Sequence, residues 1–164
     1  MSKTMNKTLQ TIEVLNIVAF LDDAIKTKKI DELSIKARWA IKKSLKELAE
    51  IDSKFKEFKE ELESNFKDSY FMNDEKSEPT KLTQKDENGQ DIEVDGRKVK
   101  AEFMAEYNQA LEDMNAKLRE VLFDENDVAI NVFDVDSEID KLSDDSQFTF
   151  EDLEMLSIFD KEDA

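Results

Sequence analysis

Cysteine and histidine are both absent from this chain, and it holds one proline and two glycines in 164 residues. Without cysteine there is no disulfide and no thiolate nucleophile. Without either residue the usual zinc ligands are missing, and without histidine so is the common general base at neutral pH. Carboxylates, lysine, tyrosine, serine and threonine remain for chemistry. The composition therefore predicts a protein that is not an enzyme and calls for no cofactor and no metal. The lack of cysteine fits a reducing compartment. No signal-peptide pattern opens the chain. Its main apolar run, Ile12–Leu21, is interrupted by Glu13 and Asn16 and is shorter than a bilayer span. A soluble, intracellular protein with no membrane partner is expected. Few prolines and glycines let long helices run uninterrupted. There is no internal repeat.

What the chain has in quantity is negative charge, and it is unevenly placed. The net charge is −17. Residues 1–72 carry 14 Lys/Arg against 13 Asp/Glu, residues 73–119 carry 8 against 12, and residues 120–164 carry 2 against 16. An acidic block on a near-neutral body points to a binding surface rather than a catalytic pocket. The charge repels DNA, RNA and anionic lipid, so partners should be basic and direct nucleic-acid binding is not expected. Against simple disorder stand the 39% hydrophobic content and eleven phenylalanines.

The pattern predicts a mainly helical α+β fold. Residues 1–10 read as a short strand. Thr11 reads as the N-cap of a first helix over 12–27, with apolar residues on more than one face. A long helix is predicted over Asp31–Tyr70. There Ala37, Ile41, Leu45, Leu48, Ile51, Phe55, Phe58, Leu62 and Phe66 recur with a mean step of 3.6 and form one stripe. Its forty residues would reach about 60 Å, so the distal half needs a partner helix. That partner is either intramolecular, as a helical hairpin, or a second copy, as an oligomer seam. Ile35 and Trp39 lie off the stripe and are assigned to packing on the first helix.

Pro79, Asn88-Gly89 and Asp95-Gly96 mark a small β-hairpin or meander over Lys81–Lys100 with two turns. A third helix over 101–121 carries Phe103, Tyr107, Leu111, Met114, Leu118 and Val121, suited to lie antiparallel on the long helix. Val128, Ile130 and Val132 alternate as a strand. An acidic turn over Ser137–Asp145 follows. Thr149 with Asp152 opens a last helix over 150–160. Two regions are expected: a helical body over 1–121 with a β element inserted at 73–100, and an acidic C-terminal lobe over 122–164 packed on it.

The same order carries a resemblance. Ala37-Arg38-Trp39 and Lys54-Phe55-Lys56-Glu57-Phe58 stand on the long helix. Ile92-Glu93-Val94-Asp95-Gly96-Arg97-Lys98-Val99 follows, and Phe148-Thr149-Phe150-Glu151-Asp152-Leu153 closes the chain. In these segments it resembles an uncharacterised family of small acidic proteins from phages and prophages of Gram-positive bacteria, a domain of unknown function. The resemblance implies a small phage protein with no enzymatic activity. It carries no residue role across.

The candidate partner-binding residues are Asp124, Glu125, Asp127, Asp134, Asp136, Glu138, Asp140, Asp144, Asp145, Glu151, Asp152 and Glu154. Held in a fixed pattern, such carboxylates can imitate a run of phosphates and occupy the groove of a basic protein, because arginine and lysine pair with both groups. The plainer reading is a solvated acidic face that aids solubility. Asp134, Asp136, Glu138, Asp140 and Asp145 also follow part of a calcium-loop spacing. Ile139 replaces its glycine, and Asp145 its final glutamate. The last helix can either dock its aromatic face on a partner or close the core.

The expected function is a phage-encoded DNA-mimic-like inhibitor of a host nucleic-acid-binding protein, such as a CRISPR effector or another defence nuclease, acting in the host cytoplasm. The alternative is a structural or tail-associated protein of the phage particle, assembled through the helical seam.

Overall fold

A computed structural model of the chain describes residues 3–161. Residues 1–2 and 162–164, which fall in the expected first strand and the expected acidic lobe, lie outside the described residues. The fold is mainly helical α+β, with five α-helices and two antiparallel two-stranded sheets among the described residues. It forms two compact units. The first joins the residues up to Lys56 to those from Val121 onward, and the second is Glu57–Glu120. The acidic segment from residue 122 on thus shares a unit with the N-terminal third, and the expected body of residues 1–121 is divided between the two.

In the first unit, strand β1 (Lys3–Gln10) pairs antiparallel with β4 (Glu125–Val132), Met5 opposite Ile130 and Leu9 opposite Asn126. The alternation of Val128, Ile130 and Val132 puts all three on the buried face. Helix α1 (Thr11–Lys26) buries Val14, Ile17, Val18, Leu21 and Ala24 along one face. It starts one residue earlier than expected. Gln10 caps it, in a reciprocal pair with Glu13.

Helix α2 (Ile35–Tyr70) begins after a 3₁₀ turn, Lys29–Glu32. The later start has a local cause: Ser34 Oγ accepts from the Ala37 N–H at 3.2 Å, which caps the helix there. The α2 stripe reaches the core through Ala37, Ile41 and Leu48. Between them, Ser44 Oγ accepts from the Asn131 N–H at 2.8 Å and Glu47 Oε2 from the Ala129 N–H at 3.1 Å. Two N–H groups on the free edge of β4 are thereby satisfied by side chains of α2.

The first half of the expected acidic turn is instead a short helix, α4 (Val135–Asp140), which Asp134 caps by accepting from the Ser137 N–H at 3.0 Å, while Asp144 and Asp145 do lie in a turn. Helix α5 (Phe150–Leu156) has the predicted Thr149/Asp152 capping box and continues as a 3₁₀ turn, Ser157–Phe159. The Phe133 N–H donates to the Phe159 carbonyl at 2.9 Å, and the two rings stack at 5.8 Å. Phe148 before α5, Leu156 at its end and Phe159 in the 3₁₀ turn are buried in the shared core, so the segment around α5 closes this unit's interior. Phe150 is the exception, 77% exposed.

The second unit contains the C-terminal part of α2, a hairpin and most of helix α3 (Met104–Leu122). Strands β2 (Ser77–Lys85) and β3 (Asp91–Val99) pair antiparallel. The hairpin starts four residues before the expected Lys81 and includes Pro79, which a two-stranded ribbon tolerates because every strand is an edge. Its turn lies at Asn88-Gly89. Gly89 has φ +78, and Asp86 Oδ1 accepts from the Asn88 and Gln90 N–H groups. The second expected turn, Asp95-Gly96, is mid-strand: Asp95 faces Lys81 and Gly96 faces Thr80. A Cβ at Gly96 would meet Leu82 Cδ1 at 2.3 Å, so a larger residue there requires the Leu82 side chain to shift.

Phe66, Tyr70 and Phe71 gather around Tyr107 with ring centroids 5.1 to 6.0 Å from it. The apolar stripe of α3 is only half-buried, and no residue of that helix is fully buried. No helix among the described residues is long and apolar enough to cross a membrane.

Candidate functional site: an acidic face and its tethers

The twelve candidate carboxylates fall into two groups with different work. Four are engaged by the fold. Glu138 is buried, 7% exposed, and accepts from both the backbone N–H of Ser34, at 3.2 Å, and the Ser34 hydroxyl. It is therefore not presented to a partner, which corrects the expectation from sequence. A carboxylate at the start of α2 also complements the positive end of that helix.

Asp152 pairs with Lys29 Nζ at 2.9 Å and accepts from the Thr149 N–H at 2.9 Å. Burial opposes its ionisation, but the Lys29 ammonium and the Thr149 donors outweigh this and hold the carboxyl below its usual range. The hydrogen bond to Asp152 raises Lys29 in turn. Asp134 is lowered as well, first by the Ser137 N–H and further by Lys161, whose Nζ lies 3.5 Å away. Asp127 accepts from Thr8 Oγ1 across the β1–β4 pair at 2.9 Å. A thirteenth acid, Glu32, accepts from the Gln147 N–H at 2.9 Å. Glu138, Asp152 and Glu32 thus tie the acidic segment to residues 29–34, next to the start of α2.

The other eight, Asp124, Glu125, Asp136, Asp140, Asp144, Asp145, Glu151 and Glu154, are exposed. None of these eight carboxylate groups makes an ion pair or accepts a hydrogen bond among the described residues. Their order follows the local structure. Asp136 and Asp140 are one turn apart on the wet side of α4. Asp144 and Asp145 follow in the next loop, and Glu151 and Glu154 are three apart on α5. The folded backbone holds these charges in place, while the only basic residues of the segment are Lys141 and Lys161.

The calcium-loop spacing is not realised. Residues 135–140 are helical, Glu138 turns inward to Ser34, and no group of three or more carboxylates converges among the described residues.

A second surface was not foreseen from the sequence. Ile35 and Trp39 are 77% and 60% exposed, not packed on α1. Both stand on the opposite side of α2 from Ala37, Ile41, Ser44 and Leu48, which take the whole inward face. Lys36, Lys42, Lys43 and Lys46 share that outer side and are exposed, and Lys43 Nζ lies 5.4 Å from the Trp39 ring centroid. The signal was legible as helical phase: positions 35, 39, 42 and 46 lie one turn apart on the side opposite the stripe.

No protein-family model, curated protein or solved structure matches the chain. The resemblance to small acidic phage proteins therefore rests on the residues quoted for it alone.

Proposed function

We propose that this chain is a non-enzymatic phage protein that binds a basic, nucleic-acid-binding protein of the host through its acidic face and inhibits it. The observation that carries the reading is the set of six outward carboxylates, Asp136, Asp140, Asp144, Asp145, Glu151 and Glu154, on α4, α5 and the loop between them, unneutralised among the described residues and held by a folded backbone. A fixed row of negative charge meets lysine and arginine side chains placed for phosphates, and it does so without the ordering cost of a flexible acidic tail. The fitting partner class is a protein that holds nucleic acid in a basic groove, such as a CRISPR effector or another defence nuclease in the host cytoplasm. The phage context comes from the resemblance. Reversal of Asp136, Asp140, Asp144, Asp145, Glu151 and Glu154 to lysine should abolish partner binding with helicity unchanged. Binding that survives the reversal sinks the electrostatic mimicry.

A second reading, a particle-associated protein that assembles through its helices, has one observation in its favour. The apolar stripe of α3 is half-exposed, and an open groove of about 440 Å³ beside it is lined by Leu62, Phe66, Tyr70 and Met114. That role requires a defined oligomer in light scattering and copies of the chain in purified virions; a monomer absent from virions eliminates it.

A further inference from the structure

The outer side of α2 in the first unit runs against the character of the molecule. Between Ser34 and Ala49 stand five basic residues, Lys36, Arg38, Lys42, Lys43 and Lys46, against the single acid Glu47, in a chain of net charge −17. Glu47 is already engaged by the Ala129 N–H, and Arg38 lies 3.6 Å from Asp31. Lys36, Lys42 and Lys46 have no carboxylate partner among the described residues. Amid these cations the large apolar side chains of Ile35 and Trp39 are left in solvent, at 77% and 60% exposure. A lone exposed aliphatic residue is ordinary, but an exposed tryptophan beside an exposed isoleucine, ringed by cations, has the make-up of a contact centre.

The complementary surface is on the same chain. Phe150, 77% exposed, opens α5, and Glu151 and Glu154 stand beside it on that helix with Asp144 and Asp145 in the loop before it. One surface is apolar ringed by cations; the other is apolar ringed by carboxylates. Both are exposed in the single copy, so neither covers the other. We propose that the Ile35/Trp39 face of α2 docks the Phe150/Glu151/Glu154 face of a second copy of this chain. Trp39 and Phe150 supply the apolar centre, and Lys36, Lys42 and Lys46 meet the carboxylates. This contact is distinct from a seam along the inward stripe of the helices. Engaged reciprocally, the two surfaces close a twofold dimer; engaged once, they leave an open chain. The overall negative charge does not forbid it, because at physiological ionic strength charges more than about 8 Å apart are largely screened and local complementarity decides.

Trp39 is the chain's one tryptophan, so its fluorescence reports on this face directly. Full-length protein is followed by sedimentation and tryptophan emission from low micromolar to millimolar concentration. The expected result is a rise in mass with a parallel blue shift as Trp39 leaves water. The double variant Lys42→Glu/Lys46→Glu should weaken association by at least about tenfold. So should Glu151→Lys/Glu154→Lys, while an equimolar mixture of the two variants restores it. All four side chains are exposed and make no hydrogen bond or ion pair among the described residues, and circular dichroism checks that each variant is folded. The proposal is overturned by a monomer with water-exposed Trp39 emission at every concentration. A rise in mass that leaves the emission unmoved also overturns it, because another face is then the seam. So does an emission shift produced only by added poly-glutamate or duplex DNA, which would assign the face to a different anionic partner.

Discussion

Glu138 offers a sharp test of how the acidic segment is held. Its buried carboxylate accepts from the Ser34 N–H and from the Ser34 hydroxyl, whose oxygen accepts in turn from the Ala37 N–H at 3.2 Å. The first turn of α2 therefore ends on one negative charge that sits 104 residues away in sequence. A hydrogen bond to a charged acceptor contributes about 1.5–3 kcal/mol, and a charge at a helix terminus about 0.3–1 kcal/mol. Glu138→Ala removes both hydrogen bonds and the charge, and should cost about 3 kcal/mol. Glu138→Gln keeps an acceptor oxygen and should cost about 1 kcal/mol. At roughly 2–4 °C per kcal/mol for a chain of this size, the alanine variant should melt about 6–12 °C lower. Urea and thermal unfolding, followed by circular dichroism, measure both. Because Glu138 faces inward, the glutamine variant should also bind any partner of the acidic face as the parent does. An alanine variant within about 0.5 kcal/mol of the parent, or a glutamine variant that loses partner binding, would refute the assignment.

Other consequences follow from the same structure. The folded value of Asp152 lies below its unfolded one, so its pairing with Lys29 stabilises the protein above pH about 4 and is lost as pH falls through the depressed value. Lys29 is raised, so its share is present below about 10.4 and is lost as pH rises through the raised value. The stability difference between the parent and Asp152→Asn should be full at pH 7 and vanish in strong acid; urea unfolding across pH shows whether it does. Phe159 is fully buried against Phe133, and Phe159→Ala should cost about 3–5 kcal/mol and expose core, read by unfolding and by dye binding. Gly89 has φ +78, so Gly89→Ala should destabilise the β2–β3 hairpin by about 1 kcal/mol, visible as faster amide exchange in Ser77–Val99.

Periodicity carried much of the fold. The 3.6-residue stripe placed α2, the alternation of Val128, Ile130 and Val132 placed β4, and the Thr149/Asp152 pair placed the start of α5. Features that depend on distant partners were misread. Asp95-Gly96 has the composition of a turn, yet its glycine makes room for Leu82 on the neighbouring strand. Ile35 and Trp39 lie off the stripe and read as packing on α1, yet their helical phase, opposite the buried face, leaves both in solvent. Ser137–Asp145 reads as an acidic turn until Asp134 caps its first half as a helix. For the candidate site, charge density identified the acidic segment. It could not separate Glu138, drawn inward by Ser34, from Asp136 and Asp140 on the wet side of the same short helix.

The most direct test of the acidic face as a binding surface is a paired capture from the lysate of a Gram-positive host. The parent and the variant with Asp136, Asp140, Asp144, Asp145, Glu151 and Glu154 reversed to lysine are immobilised side by side. Elution is by rising salt and, separately, by duplex DNA. The account predicts that the parent retains a basic nucleic-acid-binding protein, released by a few hundred millimolar salt, the range that screens exposed charge contacts, and displaced by DNA. The reversed variant should not retain it. Equal capture by both proteins, or a parent that retains only itself or particle proteins regardless of salt, would contradict it.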